Sequence, residues 1–162
     1  MPSPAAATTA AAVAEPLAPW MKRARLLLTL IGAILFFGPL LRDANPSHLT
    51  NPTWPGHARL HFMWAITFMF GSGLLNLYVL WRRPPDLAVL RLSALWQATS
   101  LLGGFWTAVL LADLYGGTIR DPEHHLELLG VNENVLVFGA LAVLLIVVGA
   151  RLIRPPAPVS AR

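Results

Sequence analysis

The chain has 162 residues and a net charge of +4, and it is 56% hydrophobic but only 12% charged. Soluble domains carry roughly a quarter charged residues, so this balance argues against a disordered chain and against an ordinary cytosolic enzyme. The absence of cysteine excludes disulfides, thiolate metal sites, iron–sulfur clusters and a cysteine nucleophile.

Residues 1–21 form an Ala/Pro-rich tail that can bury little apolar surface, and disorder is expected there. Met21-Lys22-Arg23-Ala24-Arg25 then reads as a fresh start, so Met1 and Met21 both stand as readable initiators. Basic residues followed by Leu26-Leu27-Leu28 resemble the opening of a signal peptide. Pro39 and Arg42 are badly placed for cleavage, and an uncleaved first helix is expected.

A bilayer core of about 30 Å needs roughly 20 mostly apolar residues as a helix. Four segments meet that length: 26–41, 60–81, 87–115 and 135–153. Pro46, Pro52 and Pro55 interrupt the first connection, Asp86 is placed to cap the third helix, Gly116-Gly117 opens the third connection, and Pro155-Pro156 ends the fourth helix. The expected fold is all-α, an integral membrane antiparallel four-helix bundle over residues 22–154, followed by a short C-terminal tail, 155–162.

Positive residues collect on the cytoplasmic side of short loops. With both termini inside, the inner side holds Lys22, Arg23, Arg25, Arg82, Arg83, Arg91, Arg151, Arg154 and Arg162, and the outer side holds only Arg42, Arg59 and Arg120. That bias predicts cytoplasmic termini in a bacterial cytoplasmic (inner) membrane. The same split puts His48, His57, His61, His124 and His125 on the outer side, with six of the eight acids.

Chemistry is therefore expected at the outer face. His57 and His61 lie four apart, share one helix face, and would serve as base or as metal ligands together with His124 and His125. Arg59 adds a fixed positive charge beside a helix N-terminus. Asp113 stands near the outer end of the third span, seven residues after Trp106, where a partly desolvated carboxyl would suit a general acid. Residues 121–130 read as a short amphipathic surface helix, capped by Asp121 and stopped by Gly130. Leu126, Leu128 and Leu129 would dip into the interface, and Glu127 would be a second candidate acid. Trp64 and Trp106 would wall a substrate pocket, with Asn76 as a polar contact. Gln97, Ser100, Gly104 and Thr107 follow the spacing of ordinary helix–helix packing.

The pattern Asn51-Pro52-x-Trp54-Pro55-x-His57-Ala58-Arg59-x-His61 before a second span resembles a family of small four-helix bacterial membrane proteins. That resemblance implies the fold and supplies no activity. The four-span size is similar to DoxX-like proteins and to the sterol-isomerase/sigma-2 receptor fold, without a motif of either. Three functional readings stay open: an enzyme performing acid/base isomerisation or cyclisation of a lipophilic, isoprenoid-like small molecule; a metal- or haem-binding membrane protein; and an accessory subunit, scaffold or homo-oligomer with a membrane protein partner. Nucleic acid is not expected as a partner, because the basic residues form no stripe among aromatics, and no particular cofactor is indicated.

Overall fold

A computed structural model of the chain describes residues 18–84, 86–121 and 126–154. It is predominantly helical. Helix α1 spans Pro19–Asp43, with Pro19 in the first turn, where its missing N–H leaves nothing unpaired. Helix α2 spans Gly56–Trp81. Helix α6 spans Glu133–Ile153, and the Asn132 side chain caps it by accepting from the Asn134 N–H at 2.9 Å. These three helices are long and apolar enough to cross a membrane. Their surface carries large exposed apolar side chains such as Leu26, Phe68, Leu75 and Ile146, far more than water tolerates on a folded chain.

The segment expected as one continuous span over 87–115 is divided. Helix α3, Leu87–Ala98, opens with the Asp86 carboxylate accepting from the Val89 N–H at 2.8 Å, the cap its position predicted. The chain then widens into a π-helical segment, Thr99–Trp106, and narrows again in α4, Thr107–Leu110. It breaks at Leu111 before the single turn α5, Ala112–Tyr115, which Gly116 ends in the left-handed conformation. The cause is local. Gly103-Gly104 offers the helix no side chains to hold its pitch, and the Thr107 hydroxyl donates to the Leu102 carbonyl five residues back at 2.9 Å.

Helix α1 is the centre of the packing and touches α2, α3 and α6. Thr29 meets Trp81 and Phe36 meets Gly73, so α1 and α2 run antiparallel. Arg91 meets Leu152 and Phe105 meets Phe138, so α6 runs antiparallel to the third segment. The core is built from one face of each helix: Leu28, Ile31, Leu35 and Phe36 from α1; Leu80 from α2; Leu90 and Leu101 from the third segment; Leu141, Leu145, Val148 and Leu152 from α6. The 4-3-4 spacing in α6 buries one stripe and leaves the rest of the helix exposed.

The second long connection departs from expectation. Instead of a surface helix ending at Gly130, strands β1 (Glu127–Leu128) and β2 (Val131–Asn132) pair as a minimal antiparallel hairpin. Its two turn residues, Leu129 (φ 54°) and Gly130 (φ 75°), both take positive φ, as a twist-matched two-residue turn requires. Gly130 supplies that conformation and so turns the hairpin rather than stopping a helix. Residues 122–125, including His124 and His125, lie outside the described residues.

Candidate functional site

A cavity of about 1090 Å³ opens between the second half of α1, the first half of α2, the π-helical segment and the start of α6. It lies toward the end of the molecule that carries the 44–55 and 116–132 connections, here called the loop end. The first three of these elements each contribute an irregularity or a small residue to its wall: Gly38 and Pro39 in α1, Ser72 in α2, Ser100 and Gly104 in the π-helical segment. Pro39 removes a backbone donor inside a helix, and the wide π turn draws backbone aside. Non-helical backbone at membrane depth is tolerated where it lines a cavity. The remaining wall is largely apolar, with Ile34, Ile66, Phe105, Val109, Val137 and Phe138.

The mouth of the cavity is polar, and the 44–55 connection builds it. Asn45 shapes that loop by accepting from the Ser47 N–H at 2.8 Å and donating to the Arg42 carbonyl at 2.7 Å. Asn51 does the same one turn later, donating to the Ser47 carbonyl at 2.9 Å and accepting from the Thr53 N–H at 2.9 Å. Ser47, nearly fully buried, is thereby fixed between His48 and Asp121. Its Oγ lies 2.7 Å from His48 Nδ1, 2.7 Å from Asn45 Oδ1 and 3.0 Å from Asp121 Oδ2.

A serine hydroxyl has one proton, and both oxygens beside it only accept. The consistent assignment has Ser47 donating toward Asp121 or Asn45 and accepting from the Nδ1–H of His48. Neutral His48 then keeps its lone pair on Nε2. The imidazole is further held by rings: Phe62 stacks on it at 5.7 Å, and Trp54 meets it edge-on at 5.9 Å. Across the mouth, Arg42 of α1 pairs with Glu133 of α6 at 2.7 Å, tying the two helices together at the rim. Asp43, Asn51, Arg120 and Asn134 complete the polar lining.

The residues singled out from sequence fall in three places. His57 and His61 do meet, Nε2 to Nε2 at 3.0 Å, on an exposed face of the first turns of α2. Trp64 follows them at 6.0 Å from the His61 ring, and Arg59 is exposed beside them. Asp113 is exposed on α5, and Glu127 pairs with Arg120. Asn76 and Trp106 belong to helix packing. Asn76 is buried and accepts from the Ser93 hydroxyl at 2.7 Å, while Trp106 packs against the core. None of these eight side chains lines the cavity. Among the described residues, no group of three or more His, Asp or Glu is placed to hold a metal ion.

Ser47, His48 and Asp121 were not singled out as a unit by sequence. The available signal was the Asn-x-Ser spacing of Asn45 and Ser47, an Asx turn that presents a hydroxyl beside a histidine. Nothing local points to Asp121, 74 residues away.

Comparison of the chain with family models, with curated proteins and with solved structures finds no match.

Proposed function

We propose that this is an integral membrane protein that binds a lipophilic small molecule in the loop-end cavity and moves a proton on its polar head. The carrying observation is the cavity itself, about 1090 Å³ with apolar walls and a mouth that presents a hydrogen-bonded His48–Ser47–Asp121 unit. An apolar pocket with a few converging polar groups is the common form of a small-molecule site. His48, with Nδ1 engaged and Nε2 carrying the lone pair, suits a general base, and a carboxylate relayed through a hydroxyl stabilises the imidazolium that follows. Isomerisation or cyclisation of an isoprenoid-like molecule needs only such proton transfers and no redox partner. We assign the acid/base role to His48 rather than to His57, His61, Asp113 or Glu127, because His48 borders the cavity.

In this reading the α3–π–α4 run, Leu87–Leu110, is the third of four crossings, and the chain is an antiparallel four-helix bundle. The distribution of lysines and arginines supports cytoplasmic termini in a bacterial inner membrane, and with that orientation the cavity mouth would face outward. Purification of the full chain in mild detergent, followed by native mass spectrometry and lipid extraction, tests the binding. A discrete lipophilic species should travel with the protein. Gly38→Leu, which projects into the cavity wall, should displace it, and His48→Ala should weaken it. Retention of the same species at the same level by both variants would remove the cavity as its site.

One observation favours a second reading. The His57 and His61 nitrogens converge to 3.0 Å, close to the separation that a shared tetrahedral ion imposes. Stoichiometric zinc or copper that is lost in His61→Ala, with no lipophilic species bound, would support metal binding instead.

A further inference from the structure

The end opposite the cavity, where the 82–86 turn joins α2 to α3, carries charge of nearly one sign. Of the eleven described lysines and arginines, eight lie there, and among the described residues Asp86 is their one acidic neighbour. Asp86 is already engaged in capping α3. Among the described residues, the loop end instead holds three arginines and five acids. This cluster is organised by aromatic rings rather than by carboxylates. Arg25 sits 4.0 Å over Trp81, Arg82 5.6 Å over Tyr78, and Arg151 5.3 Å over Trp20.

These pairs come from α1, α2 and α6, so the girdle runs around the assembly. Trp81 is fixed in turn by donating from Nε1 to the Thr29 hydroxyl at 2.9 Å. Arg91 is spent on the Leu152 carbonyl at 2.9 Å, closing the last turn of α6. Lys22, Arg23, Arg83 and Arg154 are exposed and close to these pairs along the chain.

We propose that this girdle is a binding surface for anionic phospholipid headgroups. A cation held over a ring keeps its N–H donors free while its apolar stem stays against the helix. Trp and Tyr at the ends of membrane-length helices mark headgroup depth. Cations at that depth attract anionic lipid with an energy equivalent to roughly fivefold in affinity per residue. The inference rests on the membrane reading above but is independent of the cavity, so displacement of the cavity ligand leaves it untouched.

The test uses the full chain in detergent with added phosphatidylglycerol or phosphatidylcholine, read by native mass spectrometry and thermal unfolding. Phosphatidylglycerol should be retained at least about tenfold over phosphatidylcholine, and 1 M NaCl should strip most of that preference. The triple variant Arg82→Gln/Arg83→Gln/Arg154→Gln should lose it, while Arg59→Gln at the loop end should keep it. Should the triple variant fail to fold, the salt titration of the native chain decides. Equal retention of the two lipids overturns the proposal. So does equal loss in Arg59→Gln, or displacement of phosphatidylglycerol by millimolar inorganic phosphate, which would mark a free-anion pocket.

Discussion

Helix α1 meets its neighbours in two different ways along its length. In its first half, from Ala24 to Gly32, it is a regular helix packed against regular helices. The contact is so close that a Cβ on Gly32 would stand 2.6 Å from Asn76 Nδ2 and 3.2 Å from Gln97 Nε2. A polar trio locks that junction: Gln97 donates to the Leu28 carbonyl at 2.8 Å and to Ser93 Oγ at 3.1 Å, and Ser93 donates to Asn76 at 2.7 Å. In its second half the same helix carries Pro39 in its interior and faces a π-helical segment and a cavity, and a Cβ on Gly38 would meet nothing within 4 Å. One half is close-packed and holds the fold. The other leaves space, and polar side chains gather at the mouth of that space. Irregular backbone in a membrane helix is expensive unless something uses the room it makes.

The sharpest way to break this comparison is to put the same side chain in both halves. Gly32→Leu should destabilise the folded protein by about 2–3 kcal/mol, because the buried, hydrogen-bonded side-chain amides of Asn76 and Gln97 crowd the site. Gly38→Leu should lose far less, since leucine is the better helix former and finds room in the cavity. Thermal unfolding in one detergent decides, and equal losses would mean that the two halves pack alike.

A smaller effect tests the polar trio. Ser93→Ala leaves both ends of the buried Asn76 amide without a partner, and a loss of about 1–2 kcal/mol is expected. Adding Asn76→Leu removes the stranded group and should recover part of that loss, although two mutations are then present. A simple sum of the two single losses would show that the trio acts as separate contacts. At the rim, the Arg42–Glu133 pair is partly exposed, with side-chain accessibilities of 41% and 24%. A double-mutant cycle there should give only about 0.5 kcal/mol.

Much of the close-packed half was legible in sequence, and much of the open half was not. Apolar runs with proline punctuation placed α1, α2 and α6, and a single aspartate before an apolar stretch placed the start of α3. The π-helical segment was not legible, because Gly103-Gly104 and Thr107 carry the same pattern as ordinary close helix contact. The hairpin was missed because Asp-Pro at one end and Gly at the other mimic helix caps, whereas Gly130 is there for its positive φ. His48 gains its environment from Asp121 and Phe62, far along the chain, and such contacts leave no local period. His57 and His61 were correctly seen to share a face, since that follows from helix geometry alone, but spacing does not say whether a face turns toward a cavity.

Another small effect is expected at the hairpin tip. Leu129 takes φ 54°, a conformation unfavourable to a bulky L side chain, and is 94% exposed. Asparagine suits the first position of such a turn and glycine already fills the second. Leu129→Asn should therefore stabilise the hairpin by about 0.5–1 kcal/mol in detergent, read as a rise in unfolding temperature. A leucine held there against its own backbone preference, beside the exposed Leu126 and Leu128, has a reason to stay if the tip rests in the bilayer interface. In vesicles the gain should then shrink or reverse, because the substitution removes an apolar anchor while it relieves the turn. The same gain in vesicles as in detergent would place the hairpin in water, clear of the lipid that the rest of the open half faces.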